Sequence, residues 1–221
     1  EILESLGARV ITIGNKPNGK NINHNCGSQH TDQLKKKVIE EKAIAGFAFD
    51  GDGDRVIAIN HNGYDIDGDE IIAFLLEHPA YKNEKTVVGT IMSNQGLHNH
   101  LTQNSKIFYR TPVGDKQVIK KMLETRSTIG GEPSGHIILR DFLNTADGLF
   151  VALRLIETIL ITNNKDCFTY KKYPHILKNI PVAVREDLES SPYKEIIQKY
   201  KDIGPGTPYQ NTANNSEAIL E

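Results

Sequence analysis

Three aspartates at alternate positions, Asp50, Asp52 and Asp54, stand in the hexapeptide D-G-D-G-D-R, which closes with Arg55. The intervening glycines let the backbone curl, so three carboxylates can converge on one hard cation. Nothing apolar accounts for three acids at the end of an apolar run, although a solvated turn with surplus acids remains the plain alternative. With no His or Cys in the loop, an all-oxygen donor set selects Mg²⁺ over zinc. Other acidic motifs fit poorly. An EF-hand starting at Asp50 needs glycine at its sixth position and glutamate at its twelfth, where Arg55 and His61 stand. An aspartyl phosphatase would read D-x-D-x-T, and Asp54 occupies the threonine position.

The segment G-G-E-P-S-G-H, residues 130–136, joins two short apolar stretches and gathers Glu132, Ser134 and His136. A plain hairpin needs fewer glycines and no proline. A carboxylate accepts two hydrogen bonds and a serine both gives and takes one, a set suited to sugar hydroxyls. The residues alone leave ligand loop and turn equally open. R-T-P-V-G-D-K, residues 110–116, lies between a strand pattern and a helix pattern, where backbone N–H groups and basic side chains can receive an anion. A second acidic run at 65–70 sits at a helix start, where Asp and Glu satisfy free N–H groups and the dipole, and is read as structural.

Elements must hold these loops. Residues 2–6, closed by Gly7, read as a final helical turn, so the chain is expected to begin inside a domain. Residues 8–13 alternate as a strand, and the polar stretch 14–30 is long for a structureless connection. Thr31 is expected to cap a helix to 42 with Leu34, Val38 and Ile39 on one face. The apolar run 43–49 reads as a buried central strand ending at Asp50, followed by a strand at 56–59. Asp67 or Asp69 caps a helix that Pro79 stops, and the charged stretch 81–85 is the first expected domain boundary. Beyond it come strand 86–92, a helix capped by Ser93, strand 106–109, a helix from Asp115, strand 137–139 and a helix from Asp147 to about 160. Residues 163–172 read as a polar linker, 180–184 and 192–200 as a further strand and helix, and 204–215 as weakly ordered.

The 221 residues carry 26 Lys+Arg against 28 Asp+Glu, which leaves no electrostatic footprint for nucleic acid or a membrane surface. No apolar run approaches the roughly 18 residues of a membrane span. Cys26 and Cys167 stand in no paired or metal-ligand spacing, so free thiols in a reducing cytosol are expected.

The ordered set D-G-D-G-D-R, G-T-I-M-S-N, R-T-P-V-G-D-K and G-G-E-P-S-G-H resembles the α-D-phosphohexomutases. N-I-N and C-G-S-Q-H upstream are similar to the bacterial phosphoglucosamine mutase branch. The resemblance covers residues 1–160 or so. It implies consecutive mixed α/β domains, incomplete at both ends: 1–82 as the C-terminal part of domain 2, 83–172 as domain 3 and 173–221 as partial domain 4. It also implies Mg²⁺ on Asp50, Asp52 and Asp54, a phosphate contact at Arg55, and sugar contacts at Glu132 and Ser134 with His136 beside them.

The activity so implied is interconversion of glucosamine 6-phosphate and glucosamine 1-phosphate through an enzyme phosphoserine and a sugar bisphosphate. A phosphomannomutase or phosphoglucomutase is the alternative, and a noncatalytic magnesium- or sugar-phosphate-binding module is the alternative of another class. Homodimerisation of the full-length enzyme is left open. Two departures stand out. No serine here has the phosphoserine context, Ser28 included, and where the family carries an R-x-S-G-T-E-like phosphate loop, residues 204–215 read G-P-G-T-P-Y-Q-N-T-A-N-N. This chain alone is therefore expected to be inactive.

Overall fold

The computed structural model describes residues 1–175, residues 194–195 and 198–199, and the strands Lys178–Pro181, Gln210–Asn211 and Glu217–Leu220. They form two compact units, residues 1–93 with 97–171, and residues 94–96 with 172–221.

The first unit opens with the short helix α1 (Ile2–Ser5), and helix α2 (Asp32–Glu40) follows after a long irregular stretch. Strands β1 (Ala45–Phe49), β2 (Val56–Asn60) and β3 (Asp65–Ile66) form an antiparallel sheet with β2 in the middle. Next come α3 (Gly68–Leu75), β4 (Thr86–Thr90), α4 (Gln95–Gln103), β5 (Ile107–Thr111), α5 (Asp115–Thr125), β6 (Ile129–Gly131), β7 (Ile137–Leu139) and α6 (Gly148–Thr162). The second sheet runs β5-β4-β6-β7, with β4 parallel to both neighbours and β7 antiparallel to β6.

Strand alternation explains how the second sheet is covered on both faces. Val87, Ile129, Ile137 and Leu139 enter the large core with α3 and α6, while Val88 and Ile138 enter a smaller one with Val118 and Met122 of α5. All eight residues of α3 are buried, the apolar run Ile71–Leu75 in the large core and the acids Asp69 and Glu70 in the first turn. The helix starts where Asp67 accepts from Glu70 N (3.0 Å) and Glu70 Oε2 accepts from Asp67 N (3.0 Å), a reciprocal cap. Asp147 caps α6 in a simpler way, accepting from Phe150 N at 2.9 Å.

Several elements depart from the sequence expectation. Residues 8–13 form no strand, because among the described residues no strand pairs with them. Thr31 takes the N-cap position of α2 without capping it; its hydroxyl donates to Asp65 instead (2.7 Å). On that helix Val38 is buried but Ile39 is exposed. Strand β1 is an edge strand rather than a central one. Its apolar run is continuous because both faces are covered: α2 lies against Gly46 so closely that a Cβ there would sit 2.6 Å from Val38, while Ala45, Phe47 and Phe49 pack on the large core. Ser93 does not begin α4; its Oγ accepts from Thr90 N (3.2 Å).

The charged stretch 81–85 is a packing centre. Tyr81 is 0% exposed within the large core and donates to both carboxylate oxygens of Asp141 (2.9 and 3.0 Å). Glu84 ties the start of β4 to the approach of β6, accepting from Lys85 N, Thr86 N, Thr128 N and the Thr128 hydroxyl. The first unit therefore runs unbroken across the expected 82/83 division. Residues 163–172 are no free linker either, since Cys167 and Tyr170 pack on the core and Asp166 O accepts from Asn60 Nδ2 (3.0 Å). Both cysteines are free, and burial, with Asp166 and Glu77 nearby, pushes the Cys167 thiol up to about 12.

In the second unit Lys178–Pro181 (β8), Gln210–Asn211 (β9) and Glu217–Leu220 (β10) form an antiparallel sheet in the order β8-β10-β9. The strand expected at 180–184 thus overlaps β8, and residues 182–184 lie outside the described residues. Helical residues 194–195 and 198–199 fall within the helix expected at 192–200. Of the tail 204–215, which was expected to be weakly ordered, Gln210–Asn211 is a strand and the rest lies outside the described residues. No helix among the described residues is long and apolar enough to cross a membrane.

Burial alone would raise the Glu84 carboxyl, but hydrogen bonds from Thr128, Thr86 and Lys85 outweigh it and hold the group below its ordinary 4.5. A depressed carboxylate stabilises the fold above its unfolded pKa, and that contribution is lost as pH falls through the folded value. Glu84→Gln should therefore melt lower than wild type at pH 7, and the gap should narrow as the pH is taken below about 4.5. Paired thermal melts across that range check this, and a gap that stays constant with pH would contradict it.

Candidate metal and sugar site

The acidic hexapeptide is the connection between β1 and β2, a tight turn in which Gly53 N donates to Asp50 O (3.3 Å). Asp50, Asp52 and Asp54 each offer a carboxylate oxygen, and these oxygens lie within 4.8 Å of one another. Asp50 Oδ1 also accepts from Arg55 N at 3.1 Å, which fixes the first acid to the end of its own loop. Burial first, then the Asp50 carboxylate beside it, push Asp54 above its ordinary range; His136 pulls the other way and Asp52 adds to the rise. The Arg55 guanidinium reaches toward Asp50 (3.7 Å) and Asp54 (3.9 Å), too far to neutralise either by a hydrogen bond. Asp54 Oδ1 is buried and accepts no hydrogen bond. Crowded carboxylates with an unmet buried oxygen are a donor set suited to a hard dication.

The polar stretch upstream braces this turn. Gly51 packs against Ile22, where a Cβ would sit 2.5 Å from the isoleucine Cδ1. Gly27 packs beneath Phe49 O, with a Cβ position 3.0 Å from that oxygen. Spacing alone carried no signal for this contact, because residues 14–30 have neither periodicity nor metal-ligand pattern.

The segment 130–136 is the end of β6 and the β6–β7 connection, and it lies directly on the acidic turn. Val56 N donates to Gly135 O (3.1 Å), and Arg55 and His136 form an antiparallel bridge. His136 Nδ1 stands 3.0 Å from Asp54 Oδ2. From the other side Gly68 N, the first residue of α3, donates to Pro133 O (3.0 Å), and Gly148 N at the start of α6 donates to Gly53 O (3.0 Å). The two loops thus share one core and one backbone network rather than folding on separate β-α units.

Glu132 is 9% exposed, and its Oε1 accepts from Gly114 N at 2.9 Å while Ser134 Oγ donates to Oε2 at 3.4 Å. The R-T-P-V-G-D-K segment, expected to receive an anion, spends one backbone N–H on this carboxylate. Asp50, Asp52, Asp54 and Arg55 are thereby joined by hydrogen bonds to the loop of Glu132, Ser134 and His136. The acidic run 65–70 serves structure, with Asp67 and Glu70 capping α3 and Asp65 paired to Lys35 and Thr31.

Residues 67–173 match the family described as phosphoglucomutase/phosphomannomutase, alpha/beta/alpha domain III. A phosphoglucosamine mutase of a Sulfurovum species is 40% identical over all of this chain. The chain belongs to the α-D-phosphohexomutase family. It spans 52% of that Sulfurovum relative. Among solved structures, a phosphoglucomutase/phosphomannomutase family protein of Burkholderia thailandensis superposes over 100% of this chain and 47% of its own, at a TM-score of 0.70 and 19% identity. The Aspergillus fumigatus N-acetylphosphoglucosamine mutase, solved with GlcNAc-6P and magnesium, covers 92% of this chain and 54% of its own, at 0.63 and 16%. These two likenesses establish the phosphohexomutase fold, with the acidic turn and the β6–β7 loop in its first unit.

The closest approach between scaffold and site is at Gly68, where a Cβ would fall 2.0 Å from Glu132 O and 3.0 Å from Gly135 N. Backbone atoms held by a hydrogen-bond network cannot yield cheaply. Gly68→Ala should lower stability by about 1–3 kcal/mol as an overpacking change, whereas Ser134→Ala should cost less than about 1 kcal/mol. Urea unfolding midpoints of the two variants check this, and an unchanged midpoint for Gly68→Ala would show that the loop can move away freely.

Proposed function

We propose that this chain carries the magnesium turn and the sugar-reading loop of a phosphoglucosamine mutase, a cytoplasmic enzyme that interconverts glucosamine 6-phosphate and glucosamine 1-phosphate. The observation that carries the proposal is the hydrogen-bonded union of three crowded carboxylates with a buried Glu132 and its partner Ser134 in a phosphohexomutase fold. The sugar follows from the 40% identity to a phosphoglucosamine mutase; a phosphomannomutase or phosphoglucomutase is the alternative that the description of the matching family favours.

In this proposal Asp50, Asp52 and Asp54 hold Mg²⁺, which supplies electrostatic stabilisation to a phosphoryl group in transfer. Arg55, half-exposed at the mouth of the turn, adds a guanidinium for phosphate oxygens. Glu132 and Ser134 receive sugar hydroxyls, because a carboxylate beside a dianionic phosphate would be repelled while one beside hydroxyls gains hydrogen bonds. Gly114 N and Ser134 hold Glu132 in place before any sugar arrives. No serine of this chain stands in the family's phosphoserine context, so the stored phosphoryl group comes from outside these residues.

Three outcomes follow. Mg²⁺ should raise the melting temperature of the chain by binding the folded state, and Asp52→Asn should abolish most of that rise. Equal rises in both proteins would remove the turn from the metal site. Incubating the chain with Mg²⁺, glucosamine 6-phosphate and a trace of the bisphosphate should give no glucosamine 1-phosphate above a blank, and multiple turnover would place a nucleophile within these residues. In a complete enzyme carrying this segment, Glu132→Gln should cut turnover on the glucosamine phosphates, and undiminished turnover would leave the loop a plain hairpin.

A further inference from the structure

We propose that His136 is a positioning residue for the acidic turn: its imidazole holds Asp54 in place, so that the cation site and the sugar loop form as one body. The inference deepens the magnesium reading above and rests on it. An ionised carboxylate only accepts hydrogen bonds, so the 3.0 Å contact between Nδ1 and Asp54 Oδ2 requires the proton on Nδ1. The imidazole is aimed by its backbone. His136 O accepts from Glu132 N (3.0 Å), its neighbour Gly135 accepts from Val56 N (3.1 Å), and the residue bridges Arg55 across the two loops. At 6% exposure it has little room to choose another rotamer.

The geometry gives the two oxygens of Asp54 different work. Oδ2 is taken by His136 and Oδ1 is buried without a hydrogen bond, while the carboxylate as a whole keeps an oxygen within 4.8 Å of those of Asp50 and Asp52. Fixing one oxygen orients the other, which lowers the ordering cost of taking a cation. The same contact joins the turn to the strand end that carries Glu132 and Ser134. A cation on the turn and a sugar on the loop must then influence one another by equal factors. Among the described residues His136 Nε2 takes no hydrogen-bond partner, so a sugar contact is compatible with the positioning role.

The experiment is calorimetric titration of the whole chain with Mn²⁺ and Mg²⁺, on wild type, His136→Ala, His136→Asn and Asp54→Ala. Removing a partner that orients a metal ligand typically costs about 10-fold to 100-fold in affinity. His136→Ala should show a loss of that order. His136→Asn should keep most of the affinity, because its amide nitrogen can take the place of Nδ1. Adding His136→Ala to Asp54→Ala should produce no further loss. A second readout needs no metal: the side-chain Nδ1–H of His136 should be visible by ¹⁵N NMR in the cation-free chain and disappear in Asp54→Ala.

Unchanged affinity in folded His136→Ala, or equal losses in the Ala and Asn variants, would overturn the positioning role and leave the metal site standing. If His136→Ala does not fold, the Asn variant decides: affinity near wild type supports the role, and a loss as large as that of Asp54→Ala overturns it. A wild-type chain that binds neither cation, yet shows the Nδ1–H signal, would overturn the magnesium reading and this inference with it.

Discussion

Three carboxylates held within 4.8 Å of one another repel, and the first unit is organised around keeping them there. An unsupported loop would splay to separate the charges. Here the turn is bound by Arg55 N, by the first amide of α6 and by the β6–β7 loop, and glycines at 51 and 148 let neighbours approach at contact distance. The cost of the crowding falls on the apolar core, which must be stable enough to hold an unfavourable electrostatic arrangement. The structure meets that demand with a helix buried on every side and a sheet covered on both faces.

Sharing one core also changes how the two loops relate. Val56, directly after the acidic turn, packs in the same cluster as Ile129 and Ile137, which flank the β6–β7 loop. A disturbance of either strand pair is transmitted to both loops, because close-packed interiors move together rather than yielding locally. The acidic turn and the β6–β7 loop are best regarded as two edges of one surface.

Much of this was legible in the sequence, for reasons that can be named. The reciprocal Asp67–Glu70 cap follows a local rule, and the apolar runs at 86–92 and 137–139 read as strands. What escaped was non-local. Asp54 and His136 are 82 residues apart, and no spacing rule joins them. Strand β1 looked central because helix α2 covers the face that an edge strand often leaves open, and residues 8–13 have strand chemistry but no partner among the described residues. Charge made 81–85 look like a domain boundary, although Tyr81 is core and Glu84 is bonded by four donors. Composition registers a carboxylate as solvated and cannot register the backbone amides waiting for it.

The placement of the two thiols gives the molecule its own pair of clocks. Cys167 sits in the main core with its proton held tightly, so an alkylating reagent reaches it only when the 163–171 segment lifts from that core. Cys26 is half-buried in the stretch that braces the acidic turn, directly before Gly27 under Phe49 O. Their labelling rates in one sample separate the lifting of the 163–171 segment from the loosening of the brace. A cation that tightens the turn would slow the second clock first.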